Sequence, residues 1–445
     1  MKDTEEDAPP PASRRRTENE LAYARWLDDH VSERVAANPS NSSDVFAFDS
    51  THAKDARISY AHMATMAETS GGLFCAAFQC SSDGCEGKPG QHIRFCTSAD
   101  RGRTWSDTTV PMYGLNALWS PVLHYCEEKE NGGGGGELLL FYSESRKQLS
   151  PGGDVKLIRS RDEGKSWSEP ETLMTHERYG GVPKVIANRA CGGGRTSPDG
   201  GVLRLPFWTE PTDSWLRYRQ YHPMAENASL LKKVYSSPPG SADDNRDSVY
   251  CGTIDSRDGG KTWETPPIEQ LVSFPKETWL IENSVVQMLD DCFDAPQYVM
   301  YMRSATGQVW YCKQKEGDPV WSKPVPIENL PNPNSKVSAE TQSCACADEP
   351  SKRRIIYLAI NPSQTLRAPL GLSIRTIDPS GQESGQKTPF IEIEDDPNGN
   401  FAYPTTFRAS TGDLFVIYSV WGVGIRVHKI PLETLQKALR LGKSM

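Results

Sequence analysis

Across its 445 residues the chain has no apolar run near the roughly 20 residues that a membrane-spanning helix needs. Residues 1–16 are polar, charged and rich in proline, and they lack the apolar core of a secretory signal. The expectation is a cytoplasmic or otherwise non-secreted protein without a membrane span. An excess of positive charge is also missing. The net charge is −9 with both signs mixed throughout, which excludes the broad basic face that a nucleic-acid or anionic-membrane partner requires. A small basic pocket is still permitted, because screening over about 8 Å lets a few close arginines outweigh distant acids. Paired cysteine spacing is absent as well: among 11 cysteines, Cys75, Cys80, Cys85 and Cys96 show no C-x2-C pattern, and Cys344 and Cys346 stand too close for a zinc knuckle. Reduced, mostly strand-borne thiols and no metal or other cofactor are expected.

Helical periodicity is nearly absent between residues 44 and 430. In its place are short apolar or alternating runs divided by turn residues, the pattern of β-strands. They are Leu73–Phe78, His92–Thr97, Leu138–Ser143, Lys156–Ser160, Val202–Phe207, Tyr250–Ile254, Val285–Leu289, Tyr298–Arg303, Val309–Cys312, Ile355–Ile360, Leu370–Thr376, Leu414–Ser419 and Ile425–Ile430. Helical spacing returns only at the ends. Thr17 and Glu20 form a capping box ahead of Leu21, Ala24, Leu27, Val31 and Val35, which predicts a helix of about five turns. Pro431 precedes Leu432, Leu435, Ala438 and Leu439, a second and shorter helix placed to close or cover the body. The segments Arg219–Asp247 and Asn131–Gly136 read as surface loops.

One turn recurs. Ser256, Asp258, Gly260, Thr262 and Trp263 match Ser98, Asp100, Gly102, Thr104 and Trp105, and again Ser160, Asp162, Gly164, Ser166 and Trp167. The short acid accepts backbone N–H groups, the glycine tolerates positive φ, and the aromatic resumes a strand. Cys312–Trp321 and Ser373–Gly381 are degraded echoes. A repeat near 60 residues is one four-stranded propeller blade, and residues 44–430 hold about six. The expected organisation is a tail and helix over 1–43, an all-β six-bladed propeller over 44–430, and a C-terminal helix over 431–445.

These turns resemble the Asp boxes of the sialidase superfamily, also called BNR repeats, in which the boxes are scaffold and lie away from the active site. Catalytic residues are then sought near the propeller axis. The resemblance implies a tyrosine nucleophile, a glutamate that activates it, arginines around a substrate carboxylate and an aspartate acid/base. Ile281, Glu282, Asn283 and Ser284, leading on to Tyr301, Met302 and Arg303, resemble the family's glutamate and second arginine. The stretch Tyr357–Pro362 followed by Arg367 is similar to the segment carrying the third arginine. Phe401, Ala402, Tyr403 and Pro404 stand where the nucleophile stands. A phenol with a pKa near 10 needs a carboxylate to take its proton, and it avoids the repulsion that a carboxylate nucleophile would meet at an anionic sugar.

The chain departs from that pattern at two points. His62 occupies the slot of the first arginine, and Ser419 that of the glutamate which would steady it. No aspartate matches the acid/base, for which only Asp83 and Glu86 lie nearby. The resemblance implies an exo-glycosidase, sialidase-like, acting on a terminal acidic sugar, with Tyr403, Glu282 and His62 catalytic and Arg303 and Arg367 binding an acidic carbohydrate or glycoconjugate. Two alternatives stay open: a non-catalytic propeller binding glycans or proteins, and a uronate lyase using His62 or Tyr403 as base. Asn332 and Asn334, in a Pro-Asn turn, are candidates for bonding sugar hydroxyls.

Overall fold

The computed structural model describes residues 18–36, 45–49, 58–83, 86–127, 136–146, 151–180, 182, 184–192, 201–210, 249–274, 278–288, 297–315, 317–342, 354–377, 388–396 and 399–441. Arg219–Asp247, residues 131–135 of the second stretch read as a loop, residues 1–17, and Cys85, Cys344 and Cys346 lie outside these, as does the end of the echo at Ser373–Gly381.

The strands assemble into six antiparallel blades. The first holds Tyr60–Glu68, Phe74–Ser81, His92–Ser98 and Thr109–Met112. The second, Leu118–Glu127, Gly136–Ser145, Gly153–Ser160 and Glu171–Met174, is joined to the third, Lys184–Val185, Leu203–Thr209, Val249–Ser256 and Val272–Phe274, through a bridge from Lys184 to Gly153. Ile281–Met288, Gln297–Arg303, Gln308–Lys315 and Val325–Pro331 make the fourth. The fifth contains Ser338–Gln342, Arg354–Ile360, Leu370–Ile377 and Thr388–Glu394, and the sixth Phe401–Arg408, Leu414–Val420 and Gly424–Ile430. The fourth strand of the last blade comes from the other end of the chain: Val45–Asp49 pairs antiparallel with Gly424–Ile430. This N-terminal strand ties the last blade to the start of the chain. The C-terminal helix Leu432–Leu441 packs Leu435 and Ala438 into the apolar layer between the fifth and sixth blades.

The N-terminal helix is shorter than its spacing predicts. It runs over Glu18–His30, and the chain then becomes the strand Val31–Ala36, parallel to Thr388–Glu394. Val31 and Val35 therefore belong to a fifth strand of the fifth blade, where β-branched residues pack on a pleated edge. Trp26 fixes the helix by donating Nε1–H to Asn329 O at 2.9 Å and meeting Phe390 edge to face. No helix among the described residues is long and apolar enough to cross a membrane.

The recurrent turns staple blades together. In each, the serine hydroxyl bonds the aspartate and accepts the glycine N–H, while the aspartate accepts the N–H and hydroxyl of the following Thr or Ser. The bonds from Thr104 and Ser166 hold the exposed carboxyls of Asp100 and Asp162 down at about 2. Trp167 and Trp263 donate Nε1–H to the glycine carbonyl of their own turns, and each tryptophan ring reaches a neighbouring blade. Trp167 meets Phe95 of the first blade edge to face, Trp263 meets Phe141 of the second, and Trp105 joins the layer holding Phe415 of the sixth. Glycine is required where this contact is tightest: at Gly164 φ is 87° and a Cβ would stand 2.3 Å from the Phe95 ring. The fourth blade keeps a remnant, since Ser322 bonds Lys313 by the same N–H and hydroxyl contacts that Ser106 makes with Thr97.

Candidate active site

The innermost strands of four blades share one irregularity. Pairing slips between His62 and Thr65, Trp119 and Val122, Ile281 and Ser284, and Ala402 and Thr405. At each slip one residue has positive φ: Met63 at 54°, Ser120 at 49°, Glu282 at 52° and Tyr403 at 58°. Such a conformation costs a bulky residue on the order of 1–3 kcal/mol and persists only where the surroundings impose it. Two of the four residues are the nucleophile and activator that the family resemblance implies. The bulges thus redirect side chains from the blades toward a common centre.

Arg303, at the end of its strand, holds that centre. Its Nη1–H groups donate to Glu282 Oε1 at 2.7 Å and to Tyr403 Oη at 2.6 Å, and its Nε–H donates to Asn334 Oδ1 at 2.6 Å. Arg303 and Glu282 are each 1% exposed, so their ion pair lies away from water. A buried pair of this kind is tolerated only because further bonds satisfy it. Among the described residues Glu282 Oε2 has no hydrogen-bond partner, which leaves an acceptor site on the carboxylate unused. Arg367 lies with its Cζ 5.2 Å from the centre of the Tyr403 ring, and Arg303 with its Cζ at 5.7 Å.

On the other side of Tyr403, the His62 ring sits edge to face at 4.1 Å between centres. Its Nδ1 is 2.7 Å from Ser419 Oγ, so the two residues that replace the expected arginine and glutamate contact each other. Burial lowers the His62 pKa well below its usual value, and Arg367, Lys336 and Arg303 lower it further, so the imidazole is neutral at physiological pH.

Glu86 and Asp83 separate clearly. The Asp83 side chain is half exposed and lies 3.9 Å from Lys88. Glu86 turns inward: its Oε1 is 2.5 Å from Tyr60 Oη and 3.8 Å from His62 Nε2. The direction of the Tyr60 bond follows from a chain behind it. Ser120 N donates to Gln79 Oε1 at 2.7 Å, which leaves Gln79 Nε2 to donate to Tyr60 Oη at 2.7 Å. Tyr60 must then give its hydrogen to Glu86. Burial raises the Glu86 pKa, against the opposing influence of the Tyr60 bond.

The structure therefore gathers Tyr403, Glu282, Arg303, Arg367 and His62 in one place, brings Glu86 to its edge, and leaves Asp83 out. Sequence reasoning missed Tyr60 and Gln79, whose only signal is polarity at strand positions buried on both faces. It also missed Lys336, which is fully buried and donates Nζ–H to Thr405 Oγ1 at 2.6 Å and Ala187 O at 2.8 Å. Burial brings that amine down to about 7.

Six blades around an axial tyrosine, glutamate and arginine define a sialidase-like propeller. The chain belongs to the BNR repeat-like domain family, whose model matches residues 71–416. The NanB sialidase of Streptococcus pneumoniae superposes with a TM-score of 0.61 at 13% identity, over 89% of this chain and 72% of its own. The intramolecular trans-sialidase of Ruminococcus gnavus gives 0.58 at 13% identity, over 88% and 98%. A protein of unknown function from Dyadobacter fermentans gives 0.56 at 14%, over 85% and 96%. At such identities the likeness is one of fold. No curated protein matches the chain in sequence.

Proposed function

We propose that the protein is a retaining exo-glycosidase that removes a terminal acidic sugar. The observation that carries this reading is the meeting of Tyr403 and Glu282 on Arg303 Nη1, each presented by a bulged inner strand. Tyr403 Oη attacks the anomeric carbon as its proton passes to Glu282. The glycosidic C–O bond breaks, and the departing oxygen takes a proton from Glu86. Water then attacks the glycosyl-tyrosine, Glu86 recovers a proton from that water, and Tyr403 regains its own from Glu282. Glu86 suits the acid role because its carboxyl is buried and kept protonated to higher pH than usual. Arg303 and Arg367 bind the sugar carboxylate through charge-assisted guanidinium hydrogen bonds. Neutral His62 shapes the wall beside Tyr403 and accepts or donates one hydrogen bond without adding charge.

The test compares wild-type protein with Tyr403→Phe on fluorogenic sialosides and uronides. The wild type is expected to release the sugar, and the variant to lose roughly a thousand-fold or more in kcat while keeping its melting temperature. Equal turnover by both would remove Tyr403 as nucleophile. Tight binding of an acidic glycan by the wild type without turnover would favour the binding propeller instead, and an unsaturated product absorbing in the near ultraviolet would favour the lyase.

A further inference from the structure

The loop from Asn332 to Val337 joins the fourth blade to the fifth, and its two asparagines have different tasks. Asn332 is buried and bonds its own loop. Its Nδ2 donates to Pro333 O at 2.9 Å and Ser335 O at 2.8 Å, its Oδ1 accepts from Asn361 N at 3.0 Å, and its N–H donates to Gly307 O. With the loop so fixed, Asn334 stands exposed at the edge of the site. Its Oδ1 accepts from Arg303 Nε at 2.6 Å, and its main-chain oxygen accepts from Arg367 Nη2 at 2.9 Å. One residue thus receives a guanidinium from each of two blades. Asn332 shapes the turn, and Asn334 holds two arginines.

We propose that Asn334 is a positioning residue that sets Arg303 and Arg367 side by side as one receptor for a ligand carboxylate. The inference rests on the reading of those arginines as the carboxylate site. An arginine has a long stem, and immobilising such a side chain on binding costs conformational entropy. Half-buried Arg367 and the forked Arg303 are held before the ligand arrives, so that cost falls on folding. The main-chain bond to Arg367 survives any substitution at 334, whereas the bond to Arg303 depends on the side chain.

Calorimetric titration of the full chain with N-acetylneuraminic acid and with its neutral methyl ester tests this. The wild type is expected to bind the acid more tightly than the ester. Asn334→Ala is expected to weaken the acid about ten-fold and leave the ester unchanged, as loss of one charge-assisted hydrogen bond implies. Asn334→Asp, which keeps the shape and adds a carboxylate beside the receptor, is expected to weaken the acid by more than the alanine variant does. If both variants bind the acid like the wild type, the positioning role is overturned while the carboxylate site stands. Parallel loss of acid and ester would show a merely structural loop and overturn it equally. A wild type that does not prefer the acid would overturn the carboxylate site itself and this inference with it.

Discussion

The rim and the axis of this propeller are built by opposite means. At the rim the same turn is used three times with the same bonds, so Asp100, Asp162 and Asp258 are interchangeable parts. At the axis four inner strands share a bulge, yet each presents a different side chain there: Met63, Ser120, Glu282 and Tyr403. The fold repeats its backbone distortion and varies its chemistry. Scaffold and site are therefore separable, and perturbing one should leave the other largely intact.

The sharpest break of that separation is Arg303→Ala, because Arg303 serves both. It pairs Glu282, Tyr403 and Asn334, and removing it strands the Glu282 carboxylate away from water. A loss of about 3–5 kcal/mol of stability is expected, together with loss of turnover beyond detection, by denaturant titration and fluorogenic assay. A small stability change would show that water enters the pair freely.

Glu86→Gln should act on the axis alone. In the proposed mechanism the acid form is required, and burial raises its pKa, so activity is expected to be full below that value and to fall as pH rises through it. The variant should lose that alkaline limb and about 10²–10⁴-fold in rate on substrates with poor leaving groups, with much smaller loss where the leaving group needs no proton. An unchanged pH profile would return the acid/base role to another group. On stability the sign is the same: the native state binds a proton that the unfolded chain has released, so the contribution present at low pH is lost as pH climbs.

The smallest effect on turnover belongs to the rim. Gly164→Ala drives a Cβ into the Phe95 ring at positive φ, and should cost about 1–3 kcal/mol in stability while leaving kcat within about two-fold. A large drop in kcat at a temperature where the variant is folded would join rim to axis and refute their independence.

The same contrast explains what was legible in the sequence. The rim was, because a turn that bonds its own backbone must use the same few residue types each time. Middle strands were legible too, since Phe74–Ser81, Gly136–Ser145 and Arg354–Ile360 are apolar on both faces. The inner strands Tyr60–Glu68, Leu118–Glu127, Ser338–Gln342 and Phe401–Arg408 were not read as strands. They carry His62, Thr65, Ser120, Ser338, Thr405 and Thr406 at buried positions, and bulges break the alternation of Tyr60–Glu68, Leu118–Glu127 and Phe401–Arg408. Tyr403, Glu282, Arg303 and Arg367 were found through resemblance rather than periodicity. The helix predicted through Val35 ended at His30 because the edge of the fifth blade offered those residues a strand partner. The choice between Asp83 and Glu86 needed three dimensions, as both lie on one short loop and it is Tyr60 and His62, from an adjacent strand, that distinguish them.

As the proposed nucleophile, Tyr403 is expected to form a covalent bond to the sugar. An acidic sugar carrying fluorine at the anomeric carbon and a second fluorine beside it tests this directly. Attack by Tyr403 Oη expels the anomeric fluoride, Glu282 takes the phenol proton, and the remaining fluorine slows hydrolysis of the adduct. Intact-mass spectrometry and peptide mapping should then show one added sugar on Tyr403 in the wild type and none in Tyr403→Phe. An adduct on another residue, or wild-type turnover of the natural linkage with no adduct formed, would contradict the account.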